Sequence, residues 1–171
     1  WRLGFDSASM AELEAAAGID RRQLARDYGN KRGLFLQALE DYYEAAAARI
    51  FSRMEQPGAG LDAIEATLFA LNEQSGRLGC FMCNTSVEPI TQEDRDVRAR
   101  VRAFYDRIEA AYFNALVNAS KRDEITLRPP QLRTAARHLL TTHVGLMVLA
   151  RNGTPPEVRS DAIRGALASL N

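Results

Sequence analysis

The sequence predicts an all-α protein, because apolar residues recur at helical spacing along nearly the whole chain and sustained period-2 alternation is missing. Its 171 residues are 46% apolar and 26% charged, a composition that supports a substantial core and argues against disorder. No apolar run reaches the roughly 18 residues that cross a bilayer, and no signal-peptide pattern opens the sequence. We therefore expect a helical cytoplasmic protein without a membrane segment.

Two short helices are predicted first. The apolar stripe of the earlier one is formed by Met10, Leu13 and Ala17. Ser9 is placed to cap this helix, and Glu12 completes a capping box three residues later. Gly18 ends the helix, and Asp20 is placed to cap the next one. The two caps indicate a compact pair of short helices joined by a tight turn.

Longer helices follow, each ended by glycine, proline or asparagine. A long helix is predicted from about residue 31 to 56, and another begins near Leu61 after a Pro57, Gly58 and Gly60 break. Gly76 and Gly79 bracket a turn before a short apolar helix that stops near Pro89. The remaining predicted helices span residues 93–119, 132–151 and the end of the chain through Leu170.

A basic cluster marks the second short helix. Its first turns carry Arg21, Arg22, Gln23 and Arg26, and Lys31 begins the following helix. Arginine can bind guanine or phosphate, glutamine can pair with adenine, and a helix N-terminus favours phosphate. The formal net charge of the chain is zero, so any DNA-binding surface must be local. A solvated basic face on an ordinary helical hairpin is the alternative.

Several segments together resemble the TetR family of transcriptional regulators. They are GFDSASM, AAAGID, DYGNKRGLF and LEDYY near the start, and GCFMCNTSVE at residues 79–88. The residues that fit the family pattern in the first part are Gly4, Phe5, Ser9, Leu13, Ala17, Gly18, Ile19, Leu24, Tyr28, Lys31, Gly33, Leu34 and Phe35. The later segment is similar to part of the ligand-binding body in one TetR subgroup, so the resemblance covers essentially the whole chain.

The resemblance implies a three-helix DNA-binding head, of which the first helix is largely missing here, on a helical body. Residues 1–35 would be the partial head, and residues 36–171 the ligand-binding and dimerisation domain. Ser9 and Lys31 would contact phosphate, whereas Arg21, Arg22, Gln23 and Arg26 would face the major groove. A homodimer bound to double-stranded operator DNA would release it when a small effector binds, which is the behaviour of a repressor.

Three positions depart from the family pattern. Glu14 replaces a small packed residue, Ala25 replaces a tyrosine, and Asp27 replaces an aromatic residue or histidine. An acid near DNA opposes phosphate binding, and losing a tyrosine hydroxyl removes a donor. We therefore expect a divergent operator or weaker DNA affinity than is typical of the family.

The body offers candidates for an apolar or aromatic effector pocket. They are Phe69, Phe81, Asn84, Phe104, Ile108, Tyr112, His143 and Met147. Aromatic and polarizable side chains with a few polar groups are typical of such pockets. Ordinary core packing is the alternative for each aromatic residue. His143 is the strongest candidate, because it interrupts an apolar helical series.

The last two helices are expected to form the dimer seam. Residues predicted in or near it are Leu139, Leu146, Leu149, Ile163, Leu167 and Leu170. Such a seam resembles a divided hydrophobic core.

Cys80 and Cys83 form a CxxC pair on one helix face, which suggests either small apolar packing or a redox-active or electrophile-sensing thiol site. There is no second CxxC, and we predict neither a metal nor a cofactor. The sequence also lacks P-loop, GxGxxG, GxSxG and HExxH motifs, so no enzyme is predicted. The alternative function is a helical interaction protein, or a thiol sensor, with little DNA affinity.

Overall fold

The computed structural model of the protein describes residues 1–74 and 78–171, and these residues form helices with no strand. The helices are α1 (Gly4–Ser7), α2 (Met10–Ala17), α3 (Arg21–Tyr28), α4 (Lys31–Ala46), α5 (Ser52–Met54), α6 (Leu61–Gln74), α7 (Phe81–Thr85), α8 (Pro89–Glu93), α9 (Arg95–Lys121), α10 (Gln131–Arg151) and α11 (Pro156–Ala168). The all-α prediction is confirmed. The turn predicted at Gly76 lies outside the described residues.

The caps predicted for the two short helices are present. The Ser9 hydroxyl accepts a hydrogen bond from the Glu12 amide, and the Glu12 carboxylate accepts one from the Ser9 amide. Gly18 ends α2 in the left-handed conformation, and the Asp20 carboxylate accepts from the Gln23 amide at 2.8 Å. These bonds satisfy first-turn donors that otherwise have no intrahelical partner. Local sequence therefore fixes where α2 and α3 begin.

Gly33 allows α4 to begin directly against the end of α3. Asn30 caps α4 by accepting from the Gly33 amide at 2.9 Å. A Cβ atom at position 33 would lie 2.0 Å from the Tyr28 carbonyl oxygen. A larger residue would therefore force the two helices apart.

The predicted long helix is not uniformly α-helical. A π-helical segment, Ala47–Phe51, separates α4 from α5. Ile50 and Phe51 in this segment are buried. The helical run extends from residue 31 to 54, close to the predicted 31–56, but its wider turn was not predicted. Pro89, predicted only to stop a helix, also occupies the first turn of α8. Proline is tolerated there because an amide in the first turn has no intrahelical hydrogen-bond partner.

The core lies between α9 and α10, with α4, α6, α7 and α11 packed around them. The apolar stripe of α9 is buried: Val97, Val101, Phe104, Ile108, Ala111, Tyr112 and Leu116. The opposite face of α9 bears exposed arginines. Its amphipathic pattern therefore matches its position between core and solvent.

Several contacts connect the N-terminal helices to the body. The Phe5 amide donates to the Glu88 carboxylate at 2.6 Å, and the Phe35 and Phe81 ring centroids are 5.6 Å apart. Arg32, in the first turn of α4, pairs with Asp94 and Asp96 at the start of α9. The hydrogen bond from Arg32 holds the pKa of Asp94 well below its usual range, at about 2. The head thus rests on α7, α9 and the residues that follow α7.

None of the described helices is both long enough and apolar enough to span a membrane.

Candidate functional site

The α3 surface presents three exposed arginines, Arg21, Arg22 and Arg26. Two of them contact nearby acids. Arg21 Nε lies 2.8 Å from Glu14 Oε1, and Arg26 Nε lies 2.9 Å from Asp27 Oδ1. Both acids occupy positions where the sequence departs from the TetR pattern. The unusual acids therefore sit beside the guanidinium groups that would contact DNA.

Ser9 and Lys31 lie at the N-termini of α2 and α4, where helix dipoles favour a phosphate. The Ser9 hydroxyl donates to the Glu12 carboxylate at 2.8 Å, so it is already engaged within the capping box. Lys31 Nζ donates to the Asp6 carbonyl oxygen at 3.2 Å and lies 4.7 Å from the centroid of the Phe5 ring. The lysine therefore also holds α1 against α4.

A cavity of about 300 Å³ lies in the body between the π-helical segment, α6, α10 and the turn before α7. Its lining consists of Trp1, Tyr42, Arg49, Ile50, Arg53, Thr67, Ala70, Leu71, Leu78, Gly79, Cys80, His143 and Met147. This volume is at the lower end of the range of small-molecule sites. The structure therefore contains a partly open space suited to a small ligand.

Of the eight residues predicted to bind an effector, the structure places His143 and Met147 on this cavity. Phe104, Ile108 and Tyr112 are buried in the core. Phe81 packs against the cavity wall, with its ring centroid 5.8 Å from that of Tyr42. Phe69 is half-buried against the core. Asn84 lines a second cavity, of about 350 Å³, and its side-chain amide donates to the Leu78 carbonyl oxygen at 2.8 Å.

Sequence reasoning missed most of the cavity wall. Trp1 contacts it through its ring, which lies 5.1 Å from the Tyr42 ring, and its indole nitrogen donates to the Leu78 carbonyl oxygen at 2.9 Å. Arg49, Arg53 and Thr67 were also missed. The four-residue spacing of the two arginines was the one available signal, since it places them on one helix face.

His143 is a buried, neutral histidine. Burial lowers its pKa to about 4, and its Nδ1 lies 3.3 Å from the buried Tyr112 hydroxyl oxygen. Only one nitrogen of a neutral imidazole carries a proton, so when the Tyr112 hydroxyl donates to Nδ1 the ring proton lies on Nε2. Nε2 has no hydrogen-bond partner among the described residues. It is a buried polar atom on a residue that lines the cavity.

Cys80 and Cys83 are buried free thiols, and Cys80 lines the cavity. Hydrogen bonds from Cys83 and Tyr42 lower the pKa of Cys80, whereas the hydrogen bond to Cys80 and burial raise that of Cys83. The pair thus has one thiol that ionises more easily than the other.

Comparison with known proteins places this geometry in context. No family model matches the chain. It is 28% identical to an uncharacterized HTH-type transcriptional regulator, YezE of Bacillus subtilis (strain 168), over 98% of this chain and 88% of that protein. It is 24% identical to the HTH-type transcriptional repressor ComR of Escherichia coli (strain K12), over 92% of this chain and 76% of the relative.

A solved structure of the TetR family regulator CifR, in complex with 26-bp operator DNA, superimposes with a TM-score of 0.86 at 19% identity. The match covers all of this chain and 91% of CifR. The chain has the TetR fold. The fold expected from the sequence resemblance is therefore confirmed, and the relatives are transcription regulators rather than enzymes.

Within this TetR fold, the residues predicted in or near the dimer seam divide into two groups. Four of them, Leu139, Leu146, Ile163 and Leu170, are buried in the core of the single chain. Leu149 is exposed and Leu167 half-buried. These four buried side chains pack into the core of the chain. A partner chain would therefore contact the outer faces of α10 and α11.

Within the described part of this TetR-fold chain, no group of three or more His, Cys, Asp or Glu residues is arranged to hold a metal ion.

Proposed function

We propose that the protein is a dimeric, ligand-responsive transcriptional repressor that releases its operator DNA when a small effector fills the body cavity. Residues 1–35 are the DNA-binding part and residues 36–171 the sensing and dimerisation part. Support comes from the TetR fold, from the DNA-bound CifR structure and from relatives named as transcriptional regulators or repressors. The exposed arginines of α3 supply the DNA-facing chemistry.

The main support for this proposal is that the head forms part of the cavity wall. Trp1 and Tyr42 line the cavity. Trp1 precedes α1, and Tyr42 lies on α4, which begins against the end of α3. A ligand that displaces these rings would therefore shift the helices on which the head rests. Such a ligand favours one head position over another, and DNA affinity falls by linkage.

The second link between sensing and DNA binding is Glu88. Its carboxylate holds the Phe5 amide of α1, and it follows α7, whose preceding turn contributes Leu78, Gly79 and Cys80 to the cavity. A Cβ atom at Gly79 would lie 2.8 Å from the Met147 carbonyl oxygen, so this turn is packed tightly against α10. A movement of this turn would be transmitted to α1 through the hydrogen bond between the Phe5 amide and the Glu88 carboxylate.

Dimerisation through the outer faces of α10 and α11 is supported by exposed apolar side chains there. Val148 is 52% exposed and Val158 is 54% exposed. Gly145 and Gly165 leave open space beside the same two helices. A Val148→Asp variant should be monomeric by light scattering at concentrations at which wild type is dimeric. Leu146→Glu is a poorer test, because Leu146 is buried and its replacement disrupts the fold itself.

The regulator function is tested by fluorescence anisotropy of the full-length protein on DNA from its own upstream region. We expect specific binding that is weakened roughly tenfold or more by Arg22→Ala, because each base or phosphate contact contributes about 1–3 kcal/mol. Arg102→Ala is the matched control, since Arg102 is an exposed arginine on α9. Absence of any sequence preference at low salt would refute the proposal.

A thiol-sensing function is a second candidate, favoured by the Cys80 and Cys83 pair, of which Cys80 lines the cavity. Two-electron oxidation by a peroxide would join the two sulfurs, with loss of both thiol protons and reduction of the peroxide. The test compares DNA affinity before and after peroxide treatment in wild type and in a Cys80→Ser, Cys83→Ser variant. Equal affinity in all four samples would eliminate this candidate.

A further inference from the structure

The charged side chains that line the cavity, Arg49 and Arg53, are both positive. Arg49 and Arg53 are exposed, which places them at its opening, and no carboxylate belongs to the described lining. Within residues 1–74 and 78–171, neither guanidinium has an ion-pair or hydrogen-bond partner. Arg107 on α9, by contrast, donates hydrogen bonds to both carboxylate oxygens of Glu55. Two arginines are therefore available to an anion from outside.

The backbone that carries these arginines has an unusual conformation. Arg49 lies within the π-helical segment and Arg53 in the α5 turn that follows it. Single π-helical turns inside α-helices occur frequently at functional sites, because the wider turn redirects side chains. Here Arg49 and Ile50 both reach the cavity lining, although they are adjacent in sequence. The segment thus places an apolar and a cationic side chain at the same site.

Two further polar atoms on lining residues lack partners. Thr67 is 3% exposed and His143 is fully buried, and neither Thr67 Oγ1 nor His143 Nε2 has a hydrogen-bond partner among the described residues. Buried polar groups without partners are costly, typically about 1–3 kcal/mol each. A ligand oxygen that accepts from these donors would remove that cost. Trp1, Tyr42 and Met147 supply an apolar wall nearby.

We infer that the cavity binds a small carboxylate with an apolar body, whose negative charge is neutralised by Arg49 and Arg53. A second oxygen on the ligand accepts from His143 Nε2 or Thr67 Oγ1, and the apolar body packs against Trp1 and Tyr42. The cavity volume of about 300 Å³ is at the lower end of the range of small-molecule sites, so the ligand is small. This inference rests on the proposed effector-binding function and specifies the chemical class of the effector.

The test uses probes of matched size and shape, one charged and one neutral. Straight-chain carboxylates from butanoate to decanoate, together with phenylacetate and cinnamate, are titrated into the full-length protein by calorimetry, each beside its uncharged primary amide. We expect at least one carboxylate to bind about tenfold or more tightly than its amide, as charge-assisted hydrogen bonds predict. Quenching of Trp1, which is the one tryptophan in the sequence, places the probe in the cavity.

Variants assign the preference to the two arginines. An Arg49→Gln, Arg53→Gln variant should lose about tenfold or more in carboxylate affinity. Its affinity for the amide should stay within about twofold of wild type. Arg102→Gln on α9 is the matched control and should bind both probes as wild type does. Both exchanged arginines are exposed, so the fold is expected to survive, and thermal unfolding checks this.

Each result bears on one hypothesis. Equal binding of amide and carboxylate, no binding of any carboxylate, or an unchanged preference in the double variant would overturn the inference. Specific operator binding together with any of these outcomes leaves the regulator function standing. Carboxylate selectivity without sequence-specific DNA binding would instead refute the regulator function, since calorimetry on the free protein does not depend on DNA.

Discussion

Protonation of His143 should destabilise the protein in acid, and the structure sets the size of the effect. Its side chain is fully buried, and burial lowers its pKa from 6.5 to about 4. An unfolded chain therefore binds a proton at pH values where the folded chain does not. Unfolding is then favoured by falling pH between 6.5 and 4, and stability due to this group is fully present above pH 6.5.

The magnitude follows from the two pKa values. One pKa unit corresponds to 1.36 kcal/mol, so the full shift amounts to roughly 3 kcal/mol, of which about 2 kcal/mol is already lost at pH 5. The assay is urea unfolding at fixed protein concentration from pH 7 to 4.5, for wild type and a His143→Asn variant. Wild type should lose about 2 kcal/mol more than the variant on going from pH 7 to pH 5.

The second histidine provides a matched control. His138 lies on the same helix and is exposed, so a His138→Asn variant is the control for replacing a histidine of α10 by asparagine. The variant at position 143 is expected to be less stable at every pH, because it disturbs the contact with Tyr112. Parallel pH profiles for wild type and His143→Asn would refute the neutral buried histidine, whatever their offset.

Three further predictions concern the head. Gly33→Ala should destabilise the protein by about 1–3 kcal/mol, because the new Cβ would lie 2.0 Å from the Tyr28 carbonyl oxygen; an unchanged thermal midpoint would show that α3 and α4 separate freely. Ser9→Ala should cost about 1 kcal/mol in urea unfolding by removing the cap of α2, and no loss would mean that the capping box contributes little. Asp27→Asn should raise non-specific DNA affinity at low salt a few-fold, since it removes a negative charge beside Arg26, and weaker binding in an anisotropy titration would contradict this.

Predictions that depended on neighbours in sequence were reliable. The Ser9 and Glu12 capping box, the Asp20 cap and the buried stripe of α9 all follow from residues at most a few turns apart. Hydrogen bonds at helix ends and the 3.6-residue period act locally, so the sequence carries them directly. The TetR resemblance had the same basis, because its strongest residues surround these short helices.

The cavity was less predictable. Phe104, Ile108 and Tyr112 looked like pocket residues from their aromatic or apolar character, yet α9 turns them into the core. Arg49 and Arg53 looked like ordinary surface charges, yet the π-helical segment brings them to the cavity opening. Composition cannot distinguish these cases, since both depend on which helix faces meet.

The sequence alone determined the helical class, the ends of the short helices, the basic turn of α3 and the family whose fold this chain has, because each is encoded in short-range pattern. Only the tertiary structure decided that Trp1 lines a cavity, that Glu14 of α2 lies against Arg21 of α3, and that Leu139 and Leu146 are core residues. These relations depend on how whole helices pack against one another. A local periodicity in the sequence does not encode that packing.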